Sequence, residues 1–541
     1  MESYFSHLLP TGPAPSPREV YEVYRQIFEQ RVSEGTIHNI VFPYSFFGIF
    51  GLFTYMCIPH KKNLILYAAR WPLTFSITWF EWRNIWKSSG AGLGLGYPAG
   101  LLSALVIMMS WTWLVFKRPQ WDAKRIQKIQ VKHTIDIKNT GQLTMKSPAE
   151  EKIREQKSTK DPSIQVSQID SNKISVKDKN VIKYYWQSYP ENLVDRISWV
   201  SDLLFNYRGP GWNWAISSLP SPPLEVLSKL EGSAPGKEFS DASLNENKYF
   251  TSRRGLLFSR LSSYFLNLII LDVLEKIMVK DPYFLFGPTS YALPPHLKAL
   301  PPCILQLYRL LLTAAAILAG INNAFAQGVI IFSFLLGPHV IGIRAEPWYY
   351  PSEWGSFSDI LQKGLGGLWG SFWHQSFRLY FTAPTRYLID KGFIKPGSFT
   401  AQIMSVFFAF GLSGFLHGAG SVSTLGNTKP SHIVIFFALQ GLGILFQRFF
   451  CTKIFPYVRL FPKSFRYAGN LIFTLIWLYM TGSLAADDFA RGGLWIVKLA
   501  PFSVLKVLGF EDSSAGLYSL DDIGLKWNTG AHWWESGIII L

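Results

Sequence analysis

The sequence predicts an all-α, polytopic membrane protein with about eight to ten transmembrane helices. Three observations predict it. Of 541 residues 48 % are hydrophobic and only 16 % charged, where a soluble chain carries about 25 % charged residues. Apolar runs recur at roughly 20 residues, the helical length that crosses about 30 Å of hydrocarbon. The chain also holds 42 Phe and 20 Trp, rings suited to the membrane interface.

Eight runs read as firm crossings: Thr36–Ile58, Asn63–Trp82, Tyr97–Phe116, Ile304–Ile321, Ala324–Ile343, Thr400–Leu416, Ile433–Phe449 and Leu471–Ala486. Two are weaker. Leu256–Val279 carries Asp272, Glu275 and Lys276, and Leu494–Leu508 carries Lys498, Pro501 and Lys506, which suits an interfacial helix better. Met1 to Arg31 has no continuous apolar core, so the first hydrophobic segment is expected to insert and stay.

The formal net charge is +16. Its Lys and Arg cluster in loops beside apolar runs, which points to cytoplasmic membrane faces and anionic lipid rather than nucleic acid. Cys57, Cys303 and Cys451 lie far apart, so neither a disulfide frame nor a metal site is expected. Lys117 to Lys183, including EEKIREQKSTKD, is polar and nearly free of aromatics. Such composition cannot bury a core and reads as a flexible basic loop. Lys61-Lys62 and Lys117-Arg118 put it on the cytoplasmic side and the N-terminus in the lumen. The implied organisation is N-terminal helices at 1–116, this loop at 117–183, an aromatic loop region at 184–255, a membrane core at 256–510 and a tail at 511–541.

Two histidines stand apart from the other eight. His417 lies in TAQIMSVFFAFGLSGFLHGAG, an apolar run whose Ser413, Gly414, Gly418 and Gly420 allow close approach of a helix or ligand. Ionisable residues inside membranes are rare and usually functional. An imidazole there is expected to be uncharged and able to accept a proton. His374 sits in LWGSFWHQSFRLYFTAPTR, between Trp369, Trp373, Gln375 and Arg378. No G-x-S-x-G elbow, H-E-x-x-H pair or cysteine near either histidine offers a covalent or zinc alternative. GAGLGLG at 90–96 has no strand before it and reads as a loop.

An apolar helix ending SGFLHG, preceded by W-x-x-x-W-H with a downstream Arg, resembles the membrane-bound O-acyltransferases. More narrowly it is similar to their wax-synthase-like branch, including fungal biosynthetic members, and RGPGWNW at 208–214 is similar to a further block of those. The resemblance runs from about Tyr184 to Ala486. It implies helices around an internal reaction chamber, His417 as general base, and His374 orienting the acyl donor or oxyanion beside Trp373 and Gln375. Trp369, Arg378 and Ser413 complete the implied donor or substrate wall. Gly370-Ser371-Phe372 departs from the basic residues often found between the two tryptophans. That leaves Arg378, Arg386 and Lys363 as candidates for the phosphates of coenzyme A.

The implied reaction transfers an acyl group, preferably acetyl, from acyl-CoA to a hydroxyl of a lipophilic acceptor such as a terpenoid or meroterpenoid. Acyl-CoA is then a co-substrate with no tightly bound cofactor, the lipid bilayer the solvent, and the endoplasmic reticulum the expected location. A wax-ester or sterol-ester synthase is the sister reading. A transporter is the reading from another class. Against it, no halves match, and the firm early crossings carry few charges, Arg70 and Arg309 foremost.

Overall fold

The computed structural model describes residues 14–90, 95–133, 179–232, 249–458, 460–496, 525–530 and 532–540. Among these, six helices are long and apolar enough to cross a membrane: Gly96–Phe116, Arg253–Met278, Pro302–Ala345, Phe399–Ser423, Pro430–Ile454 and Lys463–Arg491. Their starts follow local rules. Ser398 accepts from Ala401 N and Ser252 from Gly255 N, while Pro302 occupies a first turn where its missing N–H costs nothing.

The expected eight to ten crossings regroup for physical reasons. Ile304–Ile321 and Ala324–Ile343 run as one helical stretch, because Asn322-Asn323 is polar without being a breaker. That stretch turns at Gly337 and again at Gly342, whose φ angles are 63° and 59°. Pro43 and Tyr44–Phe46 leave just a shorter apolar helix, Phe47–Cys57, in place of the first crossing. The second becomes Arg70–Lys87, which carries four charged side chains (Arg70, Glu81, Arg83 and Lys87) and is not among the six. Conversely, Leu256–Val279 proves to be a full-length apolar helix. Most of Leu494–Leu508 lies outside the described residues.

The reading of 117–183 as a flexible loop needs correction at both ends. Arg125–His133 and Lys179–Gln187 pair antiparallel, from Arg125 opposite Gln187 to His133 opposite Lys179. Ile182, Tyr184 and Trp186 alternate along their strand, the period that gives a sheet one apolar face. With Ile126 they pack on Ile343, Trp348 and Tyr349. Residues 134–178 lie outside the described part. The tail is likewise ordered where it is described: Leu525–Asn528 pairs with Gly537–Ile540, and Phe42 bridges to Ile538.

The largest buried cluster joins Leu52 and Met56, Ala104 to Val115, Trp199, Trp212, Trp214, Tyr380 and Leu416. It thus welds the Gly96–Phe116 helix to the RGPGWNW segment and to the His417 helix. In that segment Gly209 and Gly211 both have φ of 76°. A Cβ on Gly211 would stand 2.3 Å from the Tyr349 hydroxyl, so the turn requires glycine there.

Candidate active site

His417 sits near the end of Phe399–Ser423, wedged between two helices that come unusually close. Toward Gly96–Ser110, a Cβ on Gly100 would lie 2.2 Å from the Ala419 carbonyl oxygen, and one on Gly420 2.9 Å from the Tyr97 carbonyl oxygen. Toward Pro430–Val458, a Cβ on Gly414 would meet the Val434 backbone at 3.3 Å. Small residues therefore set the imidazole at a three-helix contact.

Its Nδ1 is 2.8 Å from the Tyr97 hydroxyl, and its ring stacks on Phe437 at 4.9 Å and 12°. Nε2 has no hydrogen-bond partner among the described residues, and the side chain is only partly buried. One nitrogen is anchored and the other is free. Ser413, one turn earlier, is buried and makes no hydrogen bond to a described residue.

A chain of rings leads from this imidazole to the other. Phe437 lies 6.2 Å from Trp369, Trp369 5.5 Å from Trp373, and Trp373 5.5 Å from His374. The two histidines, 43 positions apart in sequence, thus stand at the two ends of one line of rings. His374 is also edge-on to Trp354 at 6.1 Å, Phe325 at 5.9 Å and Phe377 at 6.2 Å. Burial first, then the Arg208 guanidinium, lowers its pKa to about 4, so it is neutral at pH 7.

The tautomer of His374 follows from its orphan atom. Nδ1 is buried without a partner. A buried N–H left unpaired is rarer than a buried lone pair left unpaired, which favours hydrogen on Nε2. That nitrogen is then a donor.

Both amide hydrogens of Gln375, and Nη1 of Arg378, are committed elsewhere. The Gln375 amide donates to Trp369 O at 3.0 Å and to Trp373 O, and its oxygen accepts from Arg378 Nη1 at 3.0 Å. Arg378 Nη1 also donates to Gly370 O at 2.7 Å. Both therefore lock the turn at Leu368–Phe372, and no amide hydrogen of Gln375 remains for a substrate. Lys363 pairs with Asp359 at 2.9 Å on the surface, and Arg386 is exposed.

Several residues here carried too little signal to be singled out from sequence. Tyr97 lies 320 positions from its partner and looks like any interfacial aromatic. Gln440, fully buried, accepts from Trp369 Nε1 at 3.3 Å and donates to Thr481 at 3.0 Å. Gln447 accepts from Leu365 N at 2.9 Å. Two amides seven residues apart on an apolar helix were a readable sign: they share a face, and that face clamps the Trp369 turn. Among the described residues, no group of three or more His, Cys, Asp and Glu could hold a metal ion.

The chain is similar to several curated fungal proteins. An acetyltransferase of Rhodocybe pseudopiperita is 26 % identical over 254 residues, 47 % of this chain and 56 % of the relative. An O-mevalon transferase of Penicillium terrestre is 24 % identical over 276 residues, 47 % of this chain and 53 % of the relative. An acetyltransferase of Aspergillus fumigatus is 30 % identical over 100 residues, 18 % of this chain and 17 % of the relative. The chain thus spans about half the length, or less, of the curated relatives it matches. No solved structure matches it. Residues 350–439, which contain Trp369, Trp373, His374 and His417, match the family described as membrane bound O-acyl transferase.

Proposed function

We propose that the protein transfers an acyl group, preferably acetyl, from acyl-CoA to the hydroxyl of a lipophilic acceptor, a terpenoid or meroterpenoid in fungal-type secondary metabolism. The observation that carries this reading is His417: held at Nδ1 by Tyr97, free at Nε2, and linked through three rings to a second, neutral histidine.

The chemistry balances without a covalent enzyme intermediate. Nδ1–H of His417 donates to the Tyr97 hydroxyl oxygen, leaving the Nε2 lone pair to take the acceptor's hydroxyl proton. The alkoxide oxygen bonds to the thioester carbonyl carbon, and His374 Nε2–H donates to the oxygen that gains charge. The carbon–sulfur bond then breaks, and the imidazolium returns its proton to the departing thiolate. General-base help of this kind is worth about 10²–10⁴-fold, and a positioned donor to the oxyanion about 10²–10³-fold. The aromatic wall of Trp369, Trp373, Phe437 and Trp354 keeps water from the thioester.

The names of two relatives, acetyltransferases from two fungi, favour a short acyl group; the O-mevalon transferase favours a different one. A long-chain ester synthase is the alternative. Residence in the endoplasmic reticulum, with the 117–183 region on the cytoplasmic face, belongs to the same proposal. Membranes from expressing cells, given acetyl-CoA or palmitoyl-CoA and a panel of hydroxylated terpenoids, test it. Ester formation with acetyl-CoA, lost about 10²-fold or more in His417→Ala at equal membrane abundance, is the expected result. Unchanged ester yield in that variant removes the assigned base.

A further inference from the structure

The Arg253–Met278 helix opens with arginines at 253 and 254, and a third, Arg260, comes seven residues after the first. Positions seven apart share a helix face. Arg253 is occupied: it donates to Ser333 O and lies over the Phe334 ring at 5.3 Å. Arg260 is not. It is partly buried, its Nε is shut off from solvent without an acceptor, and no hydrogen bond or ion pair reaches it among the described residues. A guanidinium N–H left unmatched and shut off from solvent is costly.

A second guanidinium shares its carboxylate neighbour, Glu353. Arg208 pairs with Glu353 at 2.8 Å and donates to Ser352 O at 2.8 Å and Pro351 O at 2.9 Å. Glu353 therefore faces two arginines but closes an ion pair with one of them. Burial pushes its carboxyl up, against the pull of both guanidiniums. Charged or neutral, that carboxyl leaves at least one positive charge uncompensated.

The surplus lies beside the proposed reaction site. Trp354 follows Glu353 directly and touches His374, and Gly355 N is tied to Phe372 O at 2.9 Å. Arg208 acts on the His374 imidazole, whereas Arg260 acts on Arg208 and Glu353. Arg208, ion-paired to the residue that precedes Trp354, thus puts positive charge on the stretch of chain that flanks the His374 ring.

We infer that Arg260, backed by Arg208, is an anion site that holds a phosphate group of the coenzyme A donor. The inference rests on the acyl-CoA reading above. A guanidinium fork suits phosphate oxygens, which accept two parallel hydrogen bonds. A phospholipid headgroup offers the same chemistry, so the test must separate the two sources.

The test uses the full chain in membranes with two donors, acetyl-CoA and the phosphate-free thioester S-acetyl-N-acetylcysteamine. The readout is the ratio of kcat/KM for the first over the second. In Arg260→Gln this ratio falls about tenfold, the scale of one lost charge-assisted contact, chiefly through KM for acetyl-CoA. An unchanged ratio overturns the inference, as does an equal fall with both donors, which a headgroup or packing role would give. If Arg260→Gln turns over neither donor, Arg260→Lys is read by the same ratio, with a smaller fall expected. Wild-type protein that uses neither donor defeats the acyl-CoA reading itself, a separate outcome.

Discussion

At the scale of single residues, Tyr97 decides which nitrogen of His417 is left free. Its hydroxyl is the one polar group bonded to that imidazole among the described residues, and it belongs to a helix outside the matched stretch 350–439. Tyr97→Phe keeps the ring against Phe489, 5.6 Å away, and removes only the anchor. We expect kcat to fall about tenfold with KM nearly constant, as for an interaction made in the transition state, and the melting temperature to change little. A rise in KM at constant kcat would instead mark Tyr97 as a substrate contact. His374 yields a pH prediction. Its folded pKa, about 4, lies below the ordinary 6.5, so between those values the unfolded chain binds the extra proton. Stability is then full above pH 6.5 and drains as pH falls toward 4. Melting curves at pH 7 and pH 5 should show that slope, and His374→Asn should flatten it.

At the scale of elements, small residues let the helices approach, and their importance can be compared position by position. On one side of the His417 helix, Gly100 faces the Ala419 carbonyl with no room for a side chain; on another, Gly411 has nothing within 4 Å. Gly100→Leu should therefore force Gly96–Ser110 away from its neighbour, costing about 1–3 kcal/mol or more by overpacking, and should weaken the Tyr97 bond as well. Gly411→Ala should be neutral or slightly stabilising, since it relieves glycine's entropy cost. Thermal melts of the two variants in detergent check the contrast. The glycine and serine pattern around His417 was legible in the sequence for the same reason: such residues in an apolar run have little other use. The hairpin at 125–187 was less legible. Its strands carry Lys and Gln between the apolar positions, and the partner that buries their apolar face, Trp348 and Tyr349, lies more than 150 positions away. The length of Pro302–Ala345 was hidden for another reason, since hydropathy registers a polar pair such as Asn322-Asn323 as a gap while helix geometry does not.

At the scale of the whole molecule, several polar and charged side chains of the apolar body are tied in pairs that join distant parts of the chain. Arg309 grips Asp281 through both carboxylate oxygens at 2.7 and 2.8 Å, and Tyr283 donates to Asp487 at 2.7 Å. Arg125 holds Asp202 at 3.1 Å with both side chains 3 % exposed, and it also donates to Gln187 at 2.8 Å and to Ser198 O at 3.1 Å. That last knot fastens the strand hairpin to the Leu193–Phe205 helix. From there Trp199 meets Trp212 at 5.0 Å, within the segment that begins at Arg208. Removing one partner of such a buried pair leaves an uncompensated charge and costs about 3–5 kcal/mol. Asp202→Ala should therefore lower the melting temperature by several degrees. It should also disturb the seating of Arg208, lowering turnover with coenzyme A donors. Arg18 and Glu22, an i,i+4 pair that is 72 % and 56 % exposed, supply the contrast. Glu22→Ala should cost less than about 0.5 kcal/mol and leave turnover alone. Equal melting temperatures for the two variants would mean that the Arg125 knot does not couple the hairpin to the membrane body, and that the Arg208 segment is positioned by the Trp199–Trp212 packing alone.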